Sequence, residues 1–170
     1  MREHIKLFES QDQKIREFMK KHKIKDYTRT PEGVDVHEEV TLANYVLPEL
    51  PFQFNVIHGN FACSDNKIQS LRGAPRVVHG DFCCTWNKLQ SLEFCPKFVQ
   101  GVFYCNNNDI EPWEHRYLLF SEVQGKIFTD KNDLDRFFRK YQNKKALIPE
   151  ALKELRELQK RWEQMNARTY

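Results

Sequence analysis

The stretch from residue 59 to residue 110 reads GNFACSDNKIQSLRGAPRVVH from Gly59, GDFCCTWNKLQSLEFCPKFVQ from Gly80 and GVFYCNNNDI from Gly101. The three segments align without gaps at an interval of 21 residues. The aligned positions hold Phe61, Phe82 and Phe103, then Cys63, Cys84 and Cys105, then Asn66, Asn87 and Asn108, and finally Ile68, Leu89 and Ile110. A constant period of this length predicts a solenoid, in which each unit buries its apolar edge only by stacking on its neighbours.

Within one unit, the order of residue types predicts a short strand followed by a turn. Phe61 and Cys63 alternate around Ala62, so both face the same side of a strand. Asn66 then turns the chain, and the strands of successive units stack as a parallel ladder about 4.8 Å apart. A buried asparagine in every turn predicts an asparagine ladder, because its amide can satisfy backbone groups of the neighbouring turn.

The segments before the repeats predict an N-terminal cap. Apolar residues recur at helical spacing and predict a helix over residues 5–22, and the turn signal at Pro31-Glu32-Gly33 predicts a hairpin over 27–36. Residues 36–58 form a degenerate first repeat, since stepping back 21 residues from the core positions gives Val40, Leu42 and Leu47.

After Ile110 the period lengthens. Gly125, Ile127, Asn132 and Leu134 repeat the earlier pattern 24 residues later, and the intervening segment from Trp113 to Phe120 reads as a short helix. Further helices are predicted at about 133–142, with Asp133 as a candidate N-cap, and at 148–166, with an apolar stripe that ends in Trp162 and Met165. This last helix has two interpretations, a cap on the open end of the solenoid or an arm that docks on a partner.

The repeat pattern resembles the leucine-rich repeat family, whose signature LxxLxLxxNxL appears here as Phe61-x-Cys63-x-x-Asn66-x-Ile68. More narrowly, the chain is similar to small leucine-rich repeat proteins of tailed bacteriophages and large viruses over roughly residues 15–110. One departure is that Phe94-Cys95 replaces the Gly73-Ala74 pair. The resemblance implies an α/β fold, a short leucine-rich repeat solenoid with a parallel strand ladder, capped by an N-terminal helix and C-terminal helices. We divide the chain into a helical cap (1–30), the solenoid (31–142) and a C-terminal helix (143–170), together forming one compact domain.

Charge and composition narrow the function classes. The net charge of +3 divides into +4 for residues 1–30, −6 for 31–125 and +5 for 126–170. An acidic centre argues against nucleic acid lying along the repeats, because phosphate contacts need Lys and Arg. We find no apolar run long enough for a membrane span and no secretory signal, and five cysteines fit a reducing compartment, so we expect a cytoplasmic protein, in the host cytoplasm if it is viral.

The reactive side chains do not form a catalytic or metal motif in the sequence. Cys63, Cys84 and Cys105 share an inward phase, no CxxC pair is present, and only Cys83 is expected to face outward. His58 and His79 share the phase just before the repeat glycine, which we interpret as structural. We therefore expect no enzyme activity, no catalytic residues, no metal site and no cofactor.

Outward strand positions are the predicted binding surface, with Trp86 and Tyr104 most prominent because aromatic residues dominate binding hot spots. An alternative reading is that Trp86 merely covers the adjacent turn. The predicted partner-binding residues are Asp65, Asp81, Cys83, Thr85, Trp86, Tyr104, Asn106, Asn107 and Phe128.

The leading hypothesis is a non-enzymatic protein-binding module that binds and modulates a host protein of unknown identity through its strand face. The resemblance suggests a phage protein and, more specifically, a counter-defence inhibitor. Two alternatives stay open: a nucleic-acid-binding protein that uses the basic ends, and a structural component that self-assembles. The oligomeric state also stays open, as a monomer or a dimer through the C-terminal helix.

Overall fold

Two parallel sheets run side by side through the centre of the chain, and each repeat contributes one strand to each of them. The computed structural model describes residues 2–167, with side chains from Ser10 onwards. The helices are α1 (Arg2–Lys21), α2 (Asn132–Tyr141) and α3 (Ile148–Ala167), with 3-10 helices at Pro112–Phe120 and Lys145–Leu147. The strands are β1 (Tyr27–Thr30), β2 (Gly33–Val36), β3 (Val40–Thr41), β4 (Phe54–Ile57), β5 (Phe61–Ala62), β6 (Val77–Val78), β7 (Phe82–Cys83), β8 (Phe98–Val99), β9 (Phe103–Tyr104), β10 (Glu122–Val123) and β11 (Ile127–Phe128).

The strand order confirms a solenoid of five turns. Sheet I has the order β1-β2-β4-β6-β8-β10, and sheet II has the order β11-β9-β7-β5-β3. All pairs are parallel except the β1–β2 hairpin. Phe61 pairs with Phe82 and Phe82 with Phe103, so the register follows the 21-residue period, while Ile127 pairs with Phe103 after the longer interval. Within the repeats, the sequence pattern predicted only the strand of sheet II; the two-residue strands of sheet I lie where it showed only the return of the chain.

The N-terminal elements close the first turn as predicted. α1 and the β1–β2 hairpin occupy the expected segments, and the degenerate repeat pairs Val40 with Phe61. Val40 and Leu42 are fully buried, and Leu47 is half-buried against the core. The side chains of Ile5 and Phe8, which belong to the predicted apolar stripe of the first helix, lie outside the described residues.

A column of phenylalanines forms the centre of the core. The rings of Phe54, Phe61, Phe82 and Phe103 are fully buried and follow one another at centroid distances of 5.2, 5.7 and 4.9 Å. The repeat cysteines lie beside them as small buried hydrophobes. Because each ring contacts the ring of the next turn, a turn loses apolar contact on one side when its neighbour is removed.

The asparagine ladder connects consecutive turns as predicted. Nδ2 of Asn87 donates to the carbonyl oxygens of Cys63, Cys84 and Thr85 at 2.9, 3.1 and 3.2 Å, and its Oδ1 accepts from the backbone N–H of Ile68 at 3.1 Å. Asn66 and Asn108 repeat this arrangement one turn to either side. Four backbone groups of two turns thereby find partners on one side chain.

Two backbone positions explain why glycine recurs. At the corner between the sheets, a Cβ on Gly80 would lie 2.7 Å from the backbone of Gly59, and one on Gly101 would lie 2.8 Å from Gly80. Gly73 has a φ of +91°, and Phe94, one period later, has a φ of +66°. The departure from the repeat at Phe94 therefore keeps the left-handed backbone, at the cost of strain for a bulky residue.

Side chains from α2 and the residues after it close the C-terminal end of the solenoid. Asn143 exchanges hydrogen bonds with the backbone of Val123 in β10, and Gln142 donates to the carbonyl oxygens of Val123 and Gly125. Asp135 accepts from the backbone N–H of Thr129, just after β11. α2 begins at Asn132, so the assignment of Asp133 as its N-cap was wrong; Asp133 lies in the first turn and faces Arg136 at 3.7 Å.

α3 packs on the side of the solenoid. Ala151, Leu155 and Leu158 are buried, and Oε1 of Gln159 accepts from the backbone N–H of Trp113 in the 3-10 helix. Met165, predicted to lie in the apolar stripe, is 62% exposed.

Replacing Asn87 with alanine tests the ladder. The substitution leaves buried backbone groups of two turns unpaired, so we expect a loss of about 3 kcal/mol in the free energy of unfolding. Asn106→Ala is the matched control, because Asn106 is a half-buried asparagine whose side chain makes no hydrogen bond in the described part of the chain. Urea denaturation measures both; equal losses would contradict the role of the ladder.

His115 makes stability depend on pH. It is buried in the 3-10 helix with Nδ1 3.0 Å from the carbonyl oxygen of Glu111, and burial lowers its pKa to about 4. The unfolded chain therefore takes up this proton first, so stability present above pH 6.5 is lost as the pH falls towards 4. We expect His115→Gln to remove about 3 kcal/mol of that loss. Denaturation at pH 7.5, 5.5 and 4.5 measures the difference, and parallel pH profiles would refute the assignment.

Candidate functional site

The outer face of sheet II carries a row of side chains that run along the solenoid. Ala62, Cys83, Tyr104 and Phe128 occupy the same outward position on successive strands. The rings of Tyr104 and Phe128 stack at a centroid distance of 5.3 Å with an interplanar angle of 6°, and Phe128 is 38% exposed. The structure thus brings two of the predicted contact residues together as one stacked aromatic pair.

The centre of the same face is small and polar. The hydroxyl of Ser64 donates to Sγ of Cys83 at 3.0 Å, and Thr85 Oγ1 donates to Ser64 Oγ at 3.2 Å. Cys83 is half-buried, whereas Thr85 is only 8% exposed. Of the predicted contact residues, Thr85 therefore offers little surface and holds its neighbours in place.

Asp81 and Asn106 flank this face with different roles. The carboxylate of Asp81 accepts from the backbone N–H of Val102 at 2.8 Å, as Asn60 Oδ1 accepts from the N–H of Asp81 one turn earlier. Asp81 is thus tied into the corner between turns. Asn106 is half-buried and its side chain makes no hydrogen bond among the described residues, so its amide can accept or donate to a ligand.

A second row lies where the chain turns after sheet II, at which the backbone of the first four turns adopts a left-handed conformation. Its members are Asn44, Asp65, Trp86 and Asn107, with φ values of 63°, 53°, 55° and 58°. Asn and Asp tolerate this conformation, whereas a bulky residue is a genuine outlier there. Trp86 is nevertheless placed in it, with 59% of its surface exposed.

The row of Trp86 lines an open polar groove. Asp65 and Asn107 lie on the turns before and after Trp86. The other lining residues are Asn44, Lys88, Asp109 and the ladder asparagines Asn66, Asn87 and Asn108. No ring contact joins Trp86 to Tyr104 or Phe128 in the described part of the chain, so the predicted residues divide between the strand face and this groove. Sequence reasoning missed Asn44, Lys88 and Asp109; the 21-residue spacing of Asn44, Asp65 and Asn107 was the signal that could have found the groove.

Three histidines form a further column on sheet I. The rings of His37, His58 and His79 are exposed and stack at 4.9 and 5.4 Å, and the ring of Phe98 follows His79 at 5.9 Å. The shared phase of His58 and His79 places these side chains on adjacent turns, as their spacing indicated. Among residues 10–167, no group of three or more His, Cys, Asp or Glu side chains converges on a position that could hold a metal ion.

The buried cysteines are chemically quiet. Burial raises the pKa of the Cys63 thiol to about 12 and raises the pKa values of Cys84, Cys95 and Cys105 as well. Because the thiolate is the nucleophile and the metal ligand, these four side chains act as core residues.

No helix within residues 2–167 is long and apolar enough to cross a membrane.

The basic segments lie at the two ends of the solenoid. Lys20 and Lys21 lie in the last turn of α1, and Lys23 and Lys25 come just after it. Arg139, Lys140, Lys144 and Lys145 lie at the end of α2 and after it. Both sets are exposed, but Nζ of Lys140 is held by Glu154 at 2.7 Å. The repeats lie between the two sets, so they do not form one continuous basic surface.

Comparison of the chain with protein-family models, with curated proteins and with solved structures finds no match. The described part of the chain presents three surfaces that could carry the function. They comprise the aromatic strand face, the Trp86 groove and the histidine column.

Comparing Trp86→Asn with Trp86→Ala measures the cost of the left-handed backbone apart from the loss of the indole ring. Asparagine adopts the left-handed backbone more easily, so we expect Trp86→Asn to raise the free energy of unfolding by about 1 kcal/mol over Trp86→Ala, which keeps the strain. Urea denaturation of both variants measures the difference. An asparagine variant no more stable than the alanine variant would show that the left-handed backbone costs the native protein nothing.

Proposed function

We propose that this chain is a non-enzymatic protein-binding module of the leucine-rich repeat type, which acts in the cytoplasm and binds a host protein through the outer face of sheet II. The 21-residue spacing, the stacked turns and the ladder of Asn66, Asn87 and Asn108 support the leucine-rich repeat assignment. In such a solenoid the strands present a regular surface whose outward side chains are free to vary, because the inward ones carry stability.

The stacked pair of Tyr104 and Phe128 carries the proposal. Two aromatic rings that stack on each other, on an otherwise small and polar strand face, supply rigid apolar area at low entropic cost. Neither ring is needed to close the core, since Phe103 and Ile127 on the same strands are already buried. A partner that buries this pair gains free energy without disturbing the solenoid.

The charge around the strand face indicates which charge the partner should carry. Residues 31–125 carry a net charge of −6, and Asp65, Asp109 and Asp130 are exposed around the strand face. An acidic surround favours a partner with a basic rim, because complementary charge speeds encounter and suppresses wrong partners. The same acidity disfavours nucleic acid on this face.

The biological setting follows from the resemblance to small phage and viral leucine-rich repeat proteins. In that setting the bound host protein is inhibited or redirected, and a bacterial defence component is the specific version that we propose. Binding alone accounts for such an effect, because a partner whose surface is covered cannot reach its own target.

A paired variant on the strand face tests the proposal. Tyr104→Ser combined with Phe128→Ser removes both rings while leaving the inward core residues unchanged. We expect tagged wild-type protein to retain one stoichiometric host protein from bacterial lysate, and the paired variant to lose it by at least about a hundredfold in affinity.

Thr41→Ala is the control on the same face, because Thr41 occupies the outward position on β3 and is not among the predicted contact residues; it should reduce affinity only slightly. Circular dichroism and urea denaturation establish that the paired variant is folded. A partner retained by the folded paired variant would refute the strand-face proposal, and a nuclease-sensitive, salt-sensitive complex would move the function to the basic ends.

A further inference from the structure

The Trp86 groove differs in chemistry from the strand face, so it can bind a ligand of another class than the protein partner proposed for that face. It is an open groove of about 600 Å³, a volume within the range of small-ligand sites. Its lining contains one aromatic ring, and the remaining side chains are amides, carboxylates and a lysine. A partner surface made of apolar side chains would leave those polar groups unpaired, which costs free energy.

The position of Trp86 indicates selection for its side chain. The equivalent residue is Asn44, Asp65 or Asn107 in the other turns, and each of these accepts the left-handed backbone at lower cost. A tryptophan at this position carries strain, and strained residues persist where the surrounding structure or function requires them. With 59% of its surface exposed, Trp86 does not serve the core.

The polar groups beside Trp86 are available to a ligand. The side chains of Asp65, Asn107, Asp109 and Lys88 make no hydrogen bond or ion pair within the described residues. The asparagines one position further along differ, since the side chains of Asn66, Asn87 and Asn108 are committed to the ladder. The asparagine side chains at the bottom of the groove are therefore already hydrogen-bonded, whereas the polar side chains at its rim have no protein partner among the described residues.

The available groups specify the chemistry of the ligand. Amides donate and accept, and carboxylates accept, so together they suit hydroxyl groups, which do both. The indole ring suits a flat apolar face. Asp65 and Asp109 disfavour an anion. A ligand with one apolar face and several uncharged hydroxyl groups fits all three conditions.

We propose that the Trp86 groove binds a neutral saccharide, with one sugar ring stacked on Trp86 and its hydroxyl groups bonded to Asp65 and Asn107. Successive turns lie about 4.8 Å apart, so side chains from adjacent turns line up along the solenoid axis and suit a linear oligosaccharide. The ligand would lie across the turns, beside the strand face.

Titration with defined tetrasaccharides tests this proposal by nuclear magnetic resonance. The probes are the β-1,4-linked tetramers of glucose and of N-acetylglucosamine, and the α-1,4-linked tetramer of glucose. We expect at least one probe to shift the indole N–H resonance of Trp86 in a saturable manner. Trp86→Asn, which is expected to be more stable than Trp86→Ala, should lower the affinity about tenfold or more, as followed by the backbone amide resonances of Lys88 and Asp109 in the same groove.

Two further variants distinguish this site from the strand face. Asp65→Asn keeps the shape of the groove and should weaken binding several-fold, whereas the paired Tyr104→Ser and Phe128→Ser variant should bind the saccharide unchanged. Failure of all three probes to shift the Trp86 resonance would overturn the proposal. A shift produced only by a tetra-arginine peptide would overturn it as well and would indicate a cation on the indole face.

Discussion

The side chain of one asparagine per turn is the interaction on which the rest of this molecule depends. A solenoid turn must reverse the chain inside the protein, where backbone N–H and C=O groups have no water to bond with. Asn87 satisfies groups on its own turn and on the preceding one, so the turns are connected through polar contacts as well as through the phenylalanine column. Outward side chains such as Tyr104 and Trp86 take no part in this inner frame of asparagines and phenylalanines.

That division of labour explains the two candidate surfaces. On sheet II the inward residues of a strand, such as Phe103, carry stability, and the neighbouring Tyr104 can be used for recognition. At the turn, the ladder asparagine holds the backbone while the residue before it points outwards. Residues used for recognition and residues needed for stability are thus immediate neighbours along the chain, so a recognition residue can be substituted while its neighbour keeps the fold stable.

The sequence predicted the inner frame better than the outer one. The period, the inward phase of Phe61 and Cys63, the ladder and the lengthened turn before Ile127 were all readable, because packing repeats identical residues at identical places. The short strands that the repeats contribute to sheet I were not, since two residues such as Val77 and Val78 give no alternation. The division of the contact residues was also hidden, because the left-handed backbone at Trp86 redirects a side chain that strand geometry would have assigned to the strand face.

The amide side chains of Gln142 and Asn143 make hydrogen bonds to β10 that resemble those of a further strand, and they thereby imitate a turn that is not there. These hydrogen bonds end the stack of turns. They also occupy the backbone groups at the free edge of β10, where a strand of a second molecule could otherwise pair. The interior turns have no such terminator, since each meets neighbours of nearly the same shape on both sides. Tandem duplication of an interior repeat would therefore lengthen this protein from its middle while both ends stay as they are. The binding surface can then become larger during evolution without new residues to close the end of the solenoid.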